Sequence, residues 1–243
     1  MRVASTVKYT VLRMIRNYIV LLLLLIVPIA ILTFFYFILS GLVSETGESY
    51  FDDTALIQVL VFQLFGGSLV MYLIHNDLFT AHRMRMYTLP FNQTMYAFSI
   101  MLCGAAYSIS LGFILMAYAQ FVLGVVWENW AWVLLHIALI AVLSIIVSLI
   151  LTFSVKKQKL AERLNELYGV GYVVLAGMFF PMPDHAFFEF MGSYGNPLTL
   201  SIMSVHAMDA SNSGEAWRYT SILLAAIVLL FIIMLLAGRR RIR

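Results

Sequence analysis

The sequence predicts an all-α integral membrane protein with six transmembrane helices, and three observations carry that prediction. The 243 residues are 63% hydrophobic and only 11% charged, with a mean hydropathy of +0.94, too little polar surface to cover a soluble globule of this size. Several apolar runs reach the roughly 20 residues that a helix needs to cross a hydrocarbon core of about 30 Å. Those runs lack the alternation of barrel strands, so helices must satisfy their backbone groups in lipid.

The elements follow in chain order. Val3, Val7, Val11, Met14 and Tyr18 recur at helical spacing, while Arg2, Lys8, Arg13 and Arg16 fall mostly elsewhere around the helix. This predicts an amphipathic interfacial helix over residues 1–16, with a plain basic flank as the simpler alternative. Tyr18 to Leu39 is too long for a signal-peptide core and no small-x-small site follows it, so it reads as a retained first span. Ala55 to Ile74 is the second span, a long run from Met95 toward Val126 the third, and Trp130 to Phe153 the fourth. The fifth is compact, Leu164 to Phe180; its strongly apolar part, from Leu167, covers only about 21 Å and needs an earlier start to cross. Trp217 to Ala237 is the sixth.

Residues 182–206 mix Phe187, Phe188, Phe190, Met191, Leu198 and Leu200 with polar residues. Pro181, Pro183 and Pro197 break helices there, and Gly192 and Gly195 permit a turn. The stretch is predicted to be a re-entrant outer hairpin, since a water-exposed loop would hardly carry those side chains. No internal repeat is visible, and residues 1–243 form a single membrane domain.

Charge gives orientation. Fourteen of the fifteen Lys and Arg lie on one set of span ends, with Arg218 alone on the other. By the positive-inside rule that basic face is cytoplasmic, with both termini on it. Nine of the twelve acids, and Trp127, Trp130, Trp132 and Trp217, gather toward the opposite face. An amphipathic indole ring is stable at such a boundary.

Catalytic patterns are weak. Cys103 is the single cysteine, which excludes an intrachain disulfide or a thiolate cluster. His75, His82, His136, His185 and His206 form no HExxH pair, and no GxSxG occurs. His185 and Glu189, four apart with Asp184 nearby, make a faint metal pattern against which an ordinary polar helix end is the better reading. The mid-span polar residues Gln63, Ser108, Ser110 and Gln120 are neutral, which disfavours an ion-coupled carrier. Gly66, Gly67, Gly104, Gly112 and Gly124 are candidates for close helix approach. No GxxxxGK[ST] loop is present, so any ATP-driven step needs a separate ATPase.

The stretch MYTLPFNQTMYAFS, with Thr88, Leu89, Pro90, Asn92, Gln93 and Thr94 ahead of the third span, resembles the ABC-2 type permeases, membrane subunits of ABC exporters. The basic N-terminal helix, the six spans, the polar inner loop, the outer hairpin and the basic C-terminus extend the resemblance over essentially the whole chain. It implies that residues 76–88 form a cytoplasmic coupling helix inserted into an ATPase subunit, with Asp77, Leu78, Phe79, His82, Arg83, Met84 and Arg85 as contacts. Pro90 is a sensible end for such a helix, because the residue before a proline is pushed out of helical geometry. Where the family's loop commonly opens with several acids and a Gly, this one has Asp77 as its only acid.

The expectation is a permease, not itself an enzyme, in a plasma membrane of bacterial type. The resemblance implies cytoplasmic ATPase subunits as partners, holding the ATP and magnesium, and a second copy of the chain or a homologous permease; no cofactor is expected on this chain, and no nucleic acid. Few mid-span charges, with 18 Phe, 13 Tyr and 14 Met, suit an amphipathic or hydrophobic cargo such as a peptide toxin, antimicrobial peptide or drug. Two alternatives belong to other classes: a membrane-embedded enzyme using His185, Glu189, His206 and Asp209, or a non-transporting scaffold or sensor.

Overall fold

A chain in lipid can leave no backbone N–H or C=O unpaired, and helices meet that demand within each segment. The computed structural model describes residues 3–42, 49–80, 93–177 and 183–242, and among them the regular elements are helical, with no strands. Helix α1 (Val3–Ile15) ends at a break over Arg16 and Asn17. The first span follows as α2 (Tyr18–Leu21), a π-helical turn (Leu22–Ile26) and α3 (Val27–Leu39). Pro28 accounts for the widened turn: it lacks the N–H that would close on Leu24, and its ring crowds that carbonyl.

The second span is α4 (Tyr50–Gln63) and α5 (Ser68–Phe79), interrupted at residues 64–67. Then come α6 (Gln93–Phe121), α7 (Trp130–Ser154), α8 (Gln158–Leu175), the short α9 (Ala186–Gly192), α10 (Pro197–Asp209) and α11 (Ser213–Ile242). Among the described residues, five stretches are long and apolar enough to cross a membrane: Leu22–Leu39, Tyr50–Phe79, Met95–Phe121, Trp130–Ser154 and Ser213–Arg241. They coincide with five of the six spans read from the sequence.

The remaining segment differs from its expected bounds, Leu164 to Phe180. Helix α8 begins earlier, at Gln158, and its first turns carry Lys159, Glu162, Arg163 and Glu166, so composition alone does not mark it as a span. It stops at Leu175 because Gly177 takes a left-handed backbone at φ +73°, while the Ala176 and Gly177 amides donate to the carbonyls of Tyr172 and Val174. Residues 178–180 lie outside the described residues.

Helix α7 is the centre of the bundle, packing against α4, α5, α6, α8, α10 and α11. Val133, Ile137, Ile140, Leu143, Ile146 and Leu149 are all buried, and they cover most of its circumference. The first and last spans are the opposite, with Phe34, Phe37, Val228, Leu229 and Ile232 exposed on their outer faces. Lipid tails are as apolar as leucine, so burial gives spans little reason to associate; close packing and interhelical hydrogen bonds do. Gly104 fits that logic, since a Cβ there would lie 2.0 Å from Val70 Cγ2. Gly124, grouped with the packing glycines on sequence, instead makes a turn at φ +78° with nothing near its missing side chain.

Candidate functional site

Helix α5 carries the second span to the basic end and stops at Phe79, with Thr80 extended. Asp77, Leu78 and Phe79 therefore belong to the last turn of that span. His82, Arg83, Met84 and Arg85, with the rest of the expected helix beyond Thr80, lie outside the described residues.

Asp77 sits where three helices meet. Arg13 Nη1, from α1, donates to its two carboxylate oxygens at 2.9 and 2.7 Å, and the Tyr96 hydroxyl, from α6, donates to Oδ2 at 2.9 Å. The Asp77 side chain is only 10% exposed whereas Arg13 is 40% exposed. A covered carboxylate without a counter-charge is costly, so the contact explains how Asp77 is tolerated at this depth. Its hydrogen bond to Asp77 pushes the Arg13 pKa up, against the opposing effect of partial burial, and the guanidinium stays charged. The exposure of Arg13 limits the pair's net stabilisation to about 1 kcal/mol. Its main consequence is positional, since it ties the start of α6 and the helix α1 to the end of α5.

The neighbouring residues extend the junction. Leu78 is buried. Phe79 meets Phe153 of α7 edge-on at 6.3 Å and lies 5.8 Å from His75, and the Arg241 guanidinium of α11 stands 5.3 Å above its ring. Thr10 and Met14 of α1 are buried, and Val11 is half-buried against the core, while Leu12 and Ile15 are exposed. The helix thus presents one packed face and one open face. Tyr18, placed on the packed face by spacing, is exposed because the break at residues 16–17 rotates the chain before it.

A second junction lies within the second span. At the interruption, Ser144 Oγ of α7 accepts the Gly67 N–H at 3.0 Å and donates to the Leu64 carbonyl at 2.5 Å, supplying partners for groups that the broken helix releases. Glycine is required there by space: a Cβ on Gly67 would lie 2.2 Å from Ser148 Oγ and 2.5 Å from the Ser144 carbonyl, and one on Gly66 2.2 Å from Ser108 Oγ. Ser108 donates to Gln63 at 3.0 Å and Ser148 to Asn165 at 2.7 Å. The break is thereby stitched to α6 and α7, and α7 in turn to α8.

A third junction fastens the end that carries the tryptophans. Ser204 of α10 and Thr220 of α11 share a hydrogen bond of 2.8 Å, Thr220 lies 3.2 Å from His136 Nε2, and Trp132 Nε1 donates to the Ser204 carbonyl at 3.2 Å. Asn196 begins α10 by accepting the Leu198 N–H at 3.0 Å and donates to the Tyr172 carbonyl of α8 at 2.8 Å.

The candidate enzyme residues are not gathered around one point by their contacts. His185 Nδ1 accepts the Phe187 N–H and so caps α9, His206 faces Asp53 at 3.9 Å, and Asp209 accepts from Asn129 at 3.1 Å. Among the described residues no group of three His, Cys, Asp or Glu is placed to hold a metal.

The arrangement positions helices and can pass a displacement between them. Sequence reasoning missed Tyr96, Ser144, Ser148, Asn165, Ser204 and Thr220 as members of these junctions. Ser144, Ser148 and Thr152 do carry a signal, a hydroxyl every fourth residue along one face of an otherwise apolar span. Comparison with protein-family models, curated proteins and solved structures finds no match for this chain.

Proposed function

We propose that the chain is the permease subunit of an ATP-driven ABC exporter, moving an amphipathic or hydrophobic substrate outward when coupled to separate ATPase subunits. The observation that carries this reading is the Asp77 junction. Residues 81–92 join the end of α5 to the start of α6, and Arg13, Asp77 and Tyr96 tie those two ends to each other and to α1. A push on the connecting segment is thereby shared by the second and third spans. The differential contact of an ATPase with that segment in its two states is the energy source such a shift needs.

In this reading α8, about 27 Å long at 18 residues, is the remaining span, and the basic end faces the cytoplasm. Helices α9 and α10 form the outer re-entrant hairpin. Tyr194, Gly195 and Pro197 at their turn line one cavity with Leu143, Val147 and Leu230, residues near the middle of α7 and α11, which supports a turn dipping to mid-bundle. A second copy of the chain or a homologous permease completes the translocation path.

Purification of the tagged chain from its own membrane tests the proposal. An ATP-binding polypeptide is expected to accompany it in about one-to-one ratio, and Arg83→Glu with Arg85→Glu is expected to release that polypeptide. A chain that comes alone, or a partner indifferent to both substitutions, contradicts the proposal.

A further inference from the structure

A second binding feature lies at the basic end, beside the Asp77 junction, with which it shares Phe153. The ends of α6, α7 and α11 diverge there around a cavity of about 740 Å³, lined by Phe98 and Met101 of α6, Phe153 of α7, and Leu235, Leu236 and Arg239 of α11 among others. Its size is within the range of about 300 to 1,000 Å³ typical of sites that enclose a small organic ligand. Among its lining residues Arg239 alone is charged. The walls are hydrocarbon, and Phe98 and Leu235 are both exposed, so the cavity opens on the lipid side as a groove.

Charge identifies the occupant. The basic end has three acids, and none is seen paired with Arg239: Asp77 is held by Arg13 and Tyr96, Glu162 accepts from Gln158 at 2.8 Å, and Glu166 accepts from Arg163 at 2.7 Å. Arg241 stands over Phe79, whereas Arg239 and Arg240 are exposed and have no acidic partner among the described residues. An apolar groove with an uncompensated guanidinium at its mouth matches a molecule with a hydrocarbon tail and an anionic head. Guanidinium binds phosphate in a fork of two hydrogen bonds, and basic pockets between spans are established settings for such headgroups.

We propose that this groove binds one anionic phospholipid of the leaflet at the basic end, with an acyl chain against Phe98, Met101 and Leu235 and the phosphate on Arg239. The site is independent of the transport reading, because it requires only that the chain span a bilayer. Its occupant spans α6 and α11, which flank α7, and would hold their ends at a fixed spacing.

The test uses the full chain purified in mild detergent, mixed with dioleoylphosphatidylglycerol or dioleoylphosphatidylcholine, with bound lipid counted by native mass spectrometry. The wild type is expected to retain the anionic lipid over the zwitterionic one by about fivefold or more, as for one charge-assisted contact. Arg239→Gln abolishes the preference, while Arg218→Gln at the opposite end leaves it. Leu235→Trp, which fills the groove at constant charge, lowers retention of both lipids. Equal retention of the two lipids by the wild type overturns the proposal, as does a preference that survives Arg239→Gln. So does a Leu235→Trp variant that loses a second copy of the chain but no lipid, which would assign the groove to that copy. If Arg239→Gln fails to fold, Arg239→Lys keeps the charge without the fork and is expected to give an intermediate preference; an unchanged one overturns the assignment.

Discussion

The two ends of the bundle are fastened by different chemistry. At the basic end the fastening is ionic, Arg13 on Asp77 with Tyr96 in support, and Arg13 remains 40% exposed. At the opposite end Ser204, Thr220 and His136 are fully buried and joined by neutral hydrogen bonds. A charge at the centre of a span costs about 2.5 to 3.5 kcal/mol on insertion scales, so the ionic contact belongs where water or headgroups reach it. The difference separates two mechanical roles. The part-exposed Arg13 can exchange its partner for water at small cost, whereas a buried hydroxyl that loses its partner finds no replacement. In the proposed mechanism the basic end, adjoining residues 81–92, is the part that moves, and the opposite end is the anchor.

Substitutions can break this comparison, and the largest effect is expected between the two ends. Gly67→Leu drives a side chain into Ser148 Oγ and the Ser144 carbonyl, and should destabilise the protein by roughly 3 kcal/mol or more. Chemical denaturation in micelles reads this, and a wild-type midpoint would show that the second span accommodates bulk at its break. Next is Arg13→Ala, which leaves a nearly covered carboxylate held only by Tyr96 and should cost about 2 kcal/mol.

Thr220→Val removes contacts to Ser204 and His136 and should cost about 1 kcal/mol. In a double-mutant cycle with Ser204→Ala the two losses should be less than additive, because they share one hydrogen bond. Smallest is Asp77→Ala, about 0.5 kcal/mol, since the freed Arg13 can turn to water. The inequality between Arg13→Ala and Asp77→Ala is the sharper check. Equal costs would mean that exposure does not distinguish the partners.

Five spans were legible because apolar runs of that length have few other uses. Gly66 and Gly67 were legible as candidates for close helix approach, whereas the break of the second span beside them and the widened turn ahead of Pro28 emerge only in the structure. The start of α8 at Gln158 was hidden by its charged first turns, which resemble a loop in composition but form a solvated helix face. Asp77 drew attention as the one acid in its stretch. Its partner Arg13 lies 64 residues away, a pairing that no local pattern encodes. The hydroxyls of α7 repeat at helical spacing, yet only the packed bundle reveals that Ser144 faces the break at Gly67 rather than lipid.

The segment leaving α5 is central to the proposed coupling, and site-specific photo-crosslinking reads its neighbour directly. With a photoreactive residue in place of Met84 in the full chain, in its own membrane, a covalent adduct to an ATP-binding polypeptide is expected, and it diminishes when Arg83 and Arg85 are both changed to Glu. Adducts to lipid alone, or to no polypeptide that binds ATP, would contradict the proposed coupling.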